Sequence, residues 1–185
     1  IKDYLRPSNL ANDSSPTIDS VIDALNWFKK NHHKKFDAVM ILQPTSPFRT
    51  PEHIKEAIKL LKKHKQSSCI ASIQKLGDHH PKRIKRLGKD DRLIDFCSNA
   101  RENEPSRRQD FQPSAYIRNG AIYLSRTKTI LEDKLIRGDH VIGMPMPASN
   151  SINIDEHFDF LMASAALEYD DYKDNLSFFN KLITK

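Results

Sequence analysis

Three clusters of polar residues have the types and spacing to do chemistry. The first is Gln43-Pro44-Thr45-Ser46-Pro47-Phe48-Arg49-Thr50, which follows at once on the apolar run of residues 37–42. It carries an amide, hydroxyls and a guanidinium on a backbone stiffened by prolines. That set suits a polyhydroxylated anionic ligand, although a rigid turn with polar decoration has the same composition. The second cluster is Asn153-Ile154-Asp155 with Asp159. Alternate residues of an extended stretch point the same way, so Asn153 and Asp155 can offer two oxygens to one cation. Magnesium suits such a pair, since it binds through one or two carboxylates plus substrate phosphates. Helix capping by Asp155 is the competing use. The third cluster joins Arg107-Arg108 to the run Tyr116-Ile117-Arg118-Asn119-Gly120-Ala121-Ile122-Tyr123. Its guanidiniums can clamp a carboxylate or simply flank a hairpin, and Gly120 permits a tight backbone turn. The histidine pairs at 32/33 and 79/80 lack metal-ligand spacing and read as loop residues.

The elements that must position these residues follow from periodicity. Ser15-Pro16 opens a helix with Ile18, Val21, Ile22, Leu25 and Phe28 on one face. Residues 37–42 are almost continuously apolar, as a strand buried on both faces reads, and are expected to form a central parallel strand. The loop 43–50 then leaves its carboxyl end, where open α/β sheets bind ligands. Thr50-Pro51 starts a second helix with Ile54, Ala57, Ile58 and Leu61 inward, and residues 68–73 give another strand. Helix, strand, helix, strand is a doubly wound α/β pattern.

From Gly77 to about Pro113 the alternation stops in a polar excursion, with short candidate strands at 83–87 and 92–96. Residues 121–124 resume strand character, 127–132 make a short helix and 141–145 a further strand. Asp155 is expected to cap a last helix with Phe158, Leu161, Met162 and Ala165 on one inward stripe, and a polar periodic tail runs on from Asp170.

Composition bounds the reading. The chain has 185 residues, 38% hydrophobic and 29% charged, as one soluble globular domain has. No apolar run is long enough to span a membrane, and the opening residues lack the layout of a secretion signal, so a cytoplasmic protein is expected. Cys69 and Cys97 belong to no metal-binding pattern and read as reduced thiols. The net charge of +6 is spread along the chain, so it reads as a solvated surface that attracts anionic substrates rather than a nucleic-acid footprint. An anion- or nucleic-acid-binding module would rest on that charge alone. The five glycines, at 77, 88, 120, 138 and 143, make no phosphate-cradling loop. The start at Ile1, with a loop containing Arg6-Pro7 as the first recognisable element, leads us to expect a missing front.

Taken in order, residues 43–49, residues 118–123, Ser151-Ile152-Asn153-Ile154-Asp155 and Asp159-Phe160 resemble motifs of the acylneuraminate cytidylyltransferases. Arg6-Pro7 with Leu10-Ala11-Asn12-Asp13 looks like a fourth, so the resemblance covers nearly the whole chain. It implies a Rossmann-like, nucleotide-diphospho-sugar transferase-like doubly wound mixed sheet. The implied reaction transfers CMP from CTP to the anomeric hydroxyl of a sialic, legionaminic or pseudaminic acid, with Mg2+ and release of pyrophosphate. Lipopolysaccharide or capsule biosynthesis is the implied setting.

By the same resemblance Gln43, Arg108 and Asp155 carry the catalytic roles. Gln43, Thr45, Ser46, Arg49, Arg108, Asn119 and Tyr123 contact the acid sugar, Arg6 and Thr17 lie near the nucleotide, and Asp155 with Asn153 holds the metal. Residues 77–113 resemble a protruding dimerisation segment, which implies a homodimer, with neither nucleic acid nor membrane as a partner. The chain departs from the family in two places. Asn153 stands where the family carries a second aspartate, and the N-terminal strand with its basic phosphate loop has no counterpart in residues 1–185. An inactive fragment or remnant that keeps only sugar-binding and dimerisation surfaces is therefore the alternative expectation.

Overall fold

The computed structural model describes residues 4–97, 107 and 111–168. Helix α1 (Thr17–His32) begins directly after Pro16, whose fixed φ leads the chain into the first turn. It buries Leu25 and stops at His33, in left-handed backbone at φ 52°. Strand β1 (Ala38–Ile41) follows, then helix α2 (Pro51–Lys63), then strand β2 (Cys69–Lys75). At the start of α2 the backbone N–H of Thr50 donates to Nδ1 of His53 (3.1 Å), with proline in the first turn. Two three-residue strands, β3 (Lys85–Leu87) and β4 (Leu93–Asp95), pair antiparallel apart from the main sheet.

Strand β5 (Tyr116–Arg126) is far longer than the segment 121–124 that its apolar residues mark. A π-helical turn at Thr129–Asp133 stands where a short helix is expected, and strand β6 (Val141–Met146) and helix α3 (His157–Leu167) complete the described chain. The tail from Asp170 lies outside the described residues. No helix among the described residues is long and apolar enough to cross a membrane.

The sheet runs β1-β5-β2-β6. Because β5 is antiparallel to both β1 and β2, while β2 is parallel to β6, three strands run one way and β5 the other. The chain is therefore an α/β structure with a mixed sheet, and the expectation of a central parallel strand at 37–42 is corrected. Strand β1 is at one end of the described sheet, and its only described neighbour is antiparallel. The apolar run reports apolar surroundings, not neighbours. Ala38 and Met40 pack toward α2 with Leu124, Val39 shares an apolar cavity with Val21, Leu25 and Phe28 of α1, and all four residues of β1 are half-buried.

The core sits between α2 and the sheet, where Ala57, Leu61, Ile70, Ile122, Leu124 and Met144 are buried together. Each Leu, Ile or Met fully buried there contributes about 1.5–3 kcal/mol. A second correction concerns α3. Its expected inward stripe faces out, with Phe158 67%, Leu161 51% and Met162 51% exposed, and Ala163 is its buried residue.

Candidate functional site

The site begins with a bulge in β5. Ala71 of β2 pairs with Tyr123, but Ile73 pairs with Arg118, so β5 carries extra residues at 119–122 opposite Ser72. The Ser72 hydroxyl stitches the bulge, accepting from the Ile122 N–H (2.8 Å) and donating to Oδ1 of Asn119 (2.5 Å). Asn119, almost fully buried, also accepts from the Ala121 N–H and donates through Nδ2 to Ser151 Oγ (2.9 Å). Gly120 occupies the left-handed region at φ 76°. A Cβ there would lie 2.7 Å from Gln43 Oε1, so glycine is required both for conformation and for the approach of the Gln43 amide.

The loop after β1 locks onto this bulge. Arg49 donates through Nη1 to the carbonyls of Ala121 (2.7 Å) and Gln43 (3.3 Å), and burial pushes its guanidinium below the ordinary range. The Ser46 hydroxyl, 1% exposed, reaches Asn153 Oδ1 (3.2 Å) and the Asn119 carbonyl (3.4 Å). The second cluster joins through the backbone, where Ile154 N–H donates to the Thr45 carbonyl (2.8 Å), and just before it Asn150 Nδ2 donates to the Phe48 carbonyl (2.9 Å). Residues far apart in sequence are thus fastened into one rigid floor.

A cavity of about 480 Å³ opens on this floor. Gln43, Arg118, Asn119, Tyr123, Asn153 and Asp155 are among its lining residues. Asp155 is exposed, and its Oδ2 accepts from Asn153 Nδ2 (2.5 Å). The cap expected of Asp155 belongs instead to Glu156, the residue before α3, and Asp159 Oδ2 accepts from the backbone N–H groups of Asp155 (3.0 Å) and Glu156 (2.9 Å). Asp159 is spent on the helix start, which leaves the Asp155 carboxylate facing the cavity. Among the described residues no three His, Cys, Asp or Glu side chains cluster as a metal site.

The expected site residues divide by position. Gln43, Asn119, Tyr123, Asn153 and Asp155 come together around the cavity. Ser46 and Arg49 are turned to protein acceptors and brace it, and the Thr45 carbonyl serves the same frame. Thr17, first residue of α1, lines a second cavity of about 500 Å³ that shares Gln43 and Tyr123 as a common wall. Arg6 is exposed ahead of α1 and lines neither cavity, and Arg108 lies outside the described residues. Reading by motif missed Gln74 of β2, which lines the first cavity, and Lys134 and Arg137, which line the second. The sole signal for the latter pair was two cations three residues apart just before Gly138.

The site can offer an amide, a phenol, a guanidinium and a carboxylate to one hydroxyl-rich, anionic ligand. No protein-family profile matches the chain. It is similar to the CMP-N,N'-diacetyllegionaminic acid synthase of Legionella pneumophila, 30% identical over 171 residues that cover 89% of this chain and 68% of that protein. It is also similar to the N-acylneuraminate cytidylyltransferase of Escherichia coli O18:K1:H7, 28% identical over 86% of this chain and 35% of that protein. The enzyme of the same name from Streptococcus agalactiae serotype V is 28% identical over 90% of this chain and 38% of its own length. The chain thus spans little more than a third of those two cytidylyltransferases and about two thirds of the legionaminic acid synthase.

Proposed function

The chain belongs to the acylneuraminate cytidylyltransferase family, and on that premise we propose that the protein transfers CMP from CTP to the anomeric hydroxyl of a nonulosonic acid, releasing pyrophosphate. The observation that carries the proposal is the meeting of Gln43, Asn119, Tyr123 and Asp155, drawn from three separate motifs, around one cavity. The proposed setting is a nucleotide-diphospho-sugar transferase-like domain in the cytoplasm.

Transfer of this kind asks for alignment of the sugar hydroxyl with the phosphorus under attack, and for neutralisation of the triphosphate. Gln43 stands on the wall between the two cavities, so its amide can hold sugar and nucleotide at once. Tyr123 shares that wall, and Asn119, its hydrogen bonds filled by Ser72, Ala121 and Ser151, fixes the shape of the floor. Thr17, and Arg6 farther out, lie toward the nucleotide in this reading, and Arg108 would contact the acid sugar. Ser46 and Arg49 position Gln43 rather than touch substrate.

The donor set fits Mg2+ attached through a single carboxylate. Asp155 keeps one oxygen clear of its bond to Asn153, and magnesium commonly takes its other ligands from phosphates and water. When bound it would supply charge neutralisation at the triphosphate. Asn153, with Oδ1 accepting from Ser46, turns its N–H toward Asp155, so its amide oxygen would have to turn to join the metal.

Residues 77–113 serve in this reading as the dimerisation segment. The β3–β4 hairpin supports it by exposing Leu87 (67%), Leu93 (73%) and Phe96 (63%), apolar surface that a partner copy would cover. One observation favours the second reading, a remnant that binds but does not transfer: of the two residues offered to the metal only Asp155 carries a charge, Asn153 being neutral. The test is pyrophosphate release with CTP, Mg2+ and a panel of sialic, legionaminic and pseudaminic acids, run on the 185-residue chain and on the complete reading frame that encodes it. Release that needs both substrates supports transfer. Silence of both proteins with every acid refutes it, and sugar binding without release identifies the remnant.

A further inference from the structure

The second cavity has a cationic side that the motifs do not account for. Ile18, Ile41 and Ile136 give it an apolar lining, and Lys134 and Arg137, both exposed, line it from the loop between the π-helical turn and β6. That loop is built rather than slack. Ser125 Oγ donates to the Ile136 carbonyl, Ser68 Oγ donates to the Arg137 carbonyl (2.6 Å), and the Leu135 N–H donates to the Thr129 carbonyl (3.4 Å). Lys134 holds left-handed backbone at φ 56°, and Gly138, at φ 66°, passes so close to Ser68 that a Cβ would lie 2.8 Å from the serine Cβ. Among the described residues no carboxylate forms an ion pair with Lys134 or Arg137, although Asp133 and Asp139 adjoin the loop.

Two cations held on a fixed loop beside an apolar lining have no described anion of their own. A low-dielectric wall strengthens their pull on one, and both lie within one cavity of Gln43 and Tyr123. The first turn of α1 reaches the same cavity at Thr17, where the helix presents its positive end and Pro16 supplies no side-chain acceptor. We infer that Lys134 and Arg137 form an anion clamp in a second compartment of the site, receiving an oxyanion of the ligand across the Gln43–Tyr123 wall from Asp155. The oxyanion is a phosphate of the nucleotide or the carboxylate of the acid sugar. Only the identity of these two sources rests on the proposed transferase function.

Calorimetric titration separates them, using inorganic pyrophosphate, CTP and sialic acid as individual probes against the wild-type chain, Lys134→Asn and Arg137→Gln. Asparagine tolerates the left-handed backbone at 134, and circular dichroism with thermal melting verifies that both variants stay folded. Each substitution is expected to weaken one class of probe about tenfold and to flatten its dependence on salt. Loss confined to pyrophosphate and CTP assigns the clamp to phosphate, and loss confined to sialic acid assigns it to carboxylate. Unchanged affinity for all three probes, or no binding of any to the wild type, overturns the inference. Pyrophosphate binding needs no catalysis, so a clamp that holds it in a chain without transferase activity survives while the proposed function falls. Transfer kinetics untouched by either substitution sink the clamp and leave the function standing.

Discussion

Gly120→Ala separates the backbone demand of the bulge from the demand of Gln43. Residue 120 sits at φ 76°, and an added Cβ would meet Gln43 Oε1 at 2.7 Å. Left-handed backbone costs a residue with a Cβ about 1–2 kcal/mol. For a chain of this size that lowers the melting temperature by about 2–8 °C. The clash is relieved differently, because Oε1 is the far end of a flexible side chain, and Gln43 swings out of the wall between the two cavities. Removing the hydrogen bond to substrate proposed for it should cost about 0.5–1.5 kcal/mol, or about two- to tenfold in kcat/KM.

The assay is a two-by-two set of Gly120→Ala and Gln43→Ala, with melting temperature and steady-state pyrophosphate release measured for each protein. In the Gln43→Ala background the alanine at 120 should still lower the melting temperature. It should cause no further loss of kcat/KM, since the side chain it displaces is already gone. An equal kinetic loss in both backgrounds would refute the role given to Gln43. Unchanged melting temperature in Gly120→Ala would refute the strained bulge itself.

Other perturbations address separate parts of the account. Arg49→Lys loses the planar Nη1 donor that bridges the Gln43 and Ala121 carbonyls, and a thermal melt should register about 1–3 kcal/mol of destabilisation. Ser72→Ala leaves the buried Ile122 N–H without its acceptor, so denaturant unfolding should show a loss of about 1–3 kcal/mol. Asn153→Asp adds a second carboxylate beside Asp155, and manganese titration followed by electron paramagnetic resonance should give tighter binding than the wild type. Burial lowers the His53 pKa, so its neutral form is favoured in the folded chain, where Nδ1 accepts from the Thr50 N–H. Unfolded histidine binds its proton near 6.5, so His53 contributes stability that is present above that pH and is lost as the pH falls from there through the lower folded value. His53→Gln should therefore flatten the fall in stability below about pH 6.5.

Both helices before β2, the strands they alternate with and the short β3–β4 pair were legible from periodicity and proline placement. The position of β1 was not, because a continuous apolar run records apolar neighbours on both faces, here α2 on one and a cavity shared with α1 on the other, and is silent about which strand lies beside it. The first half of β5 escaped notice because its bulge breaks the two-residue period where Asn119 and Gly120 bend into the site. Neighbouring acids hid the start of α3, since Asp155 is the better cap by residue type while Glu156 takes the position, with Asp159 binding both backbone N–H groups. The site itself was legible as three motifs, but not which members touch the cavity. Ser46 and Arg49 read as ligand contacts by type and serve as internal donors by placement. Lys134 and Arg137 had no motif at all, since they reach the cavity through a left-handed residue and serine tethers that only the tertiary structure creates.

The central claim is that Gln43, Tyr123 and Asp155 enclose the place where CMP joins an acid sugar. Mass spectrometry of reactions containing CTP, Mg2+ and a nonulosonic acid tests it most directly, on the complete protein and on its Gln43→Ala, Tyr123→Phe and Asp155→Asn variants. A CMP-linked sugar is expected from the parent protein, with a sharply reduced yield from each folded variant. A parent protein that forms no such product with any of the acids, or variants that form it undiminished, would overturn the proposed function.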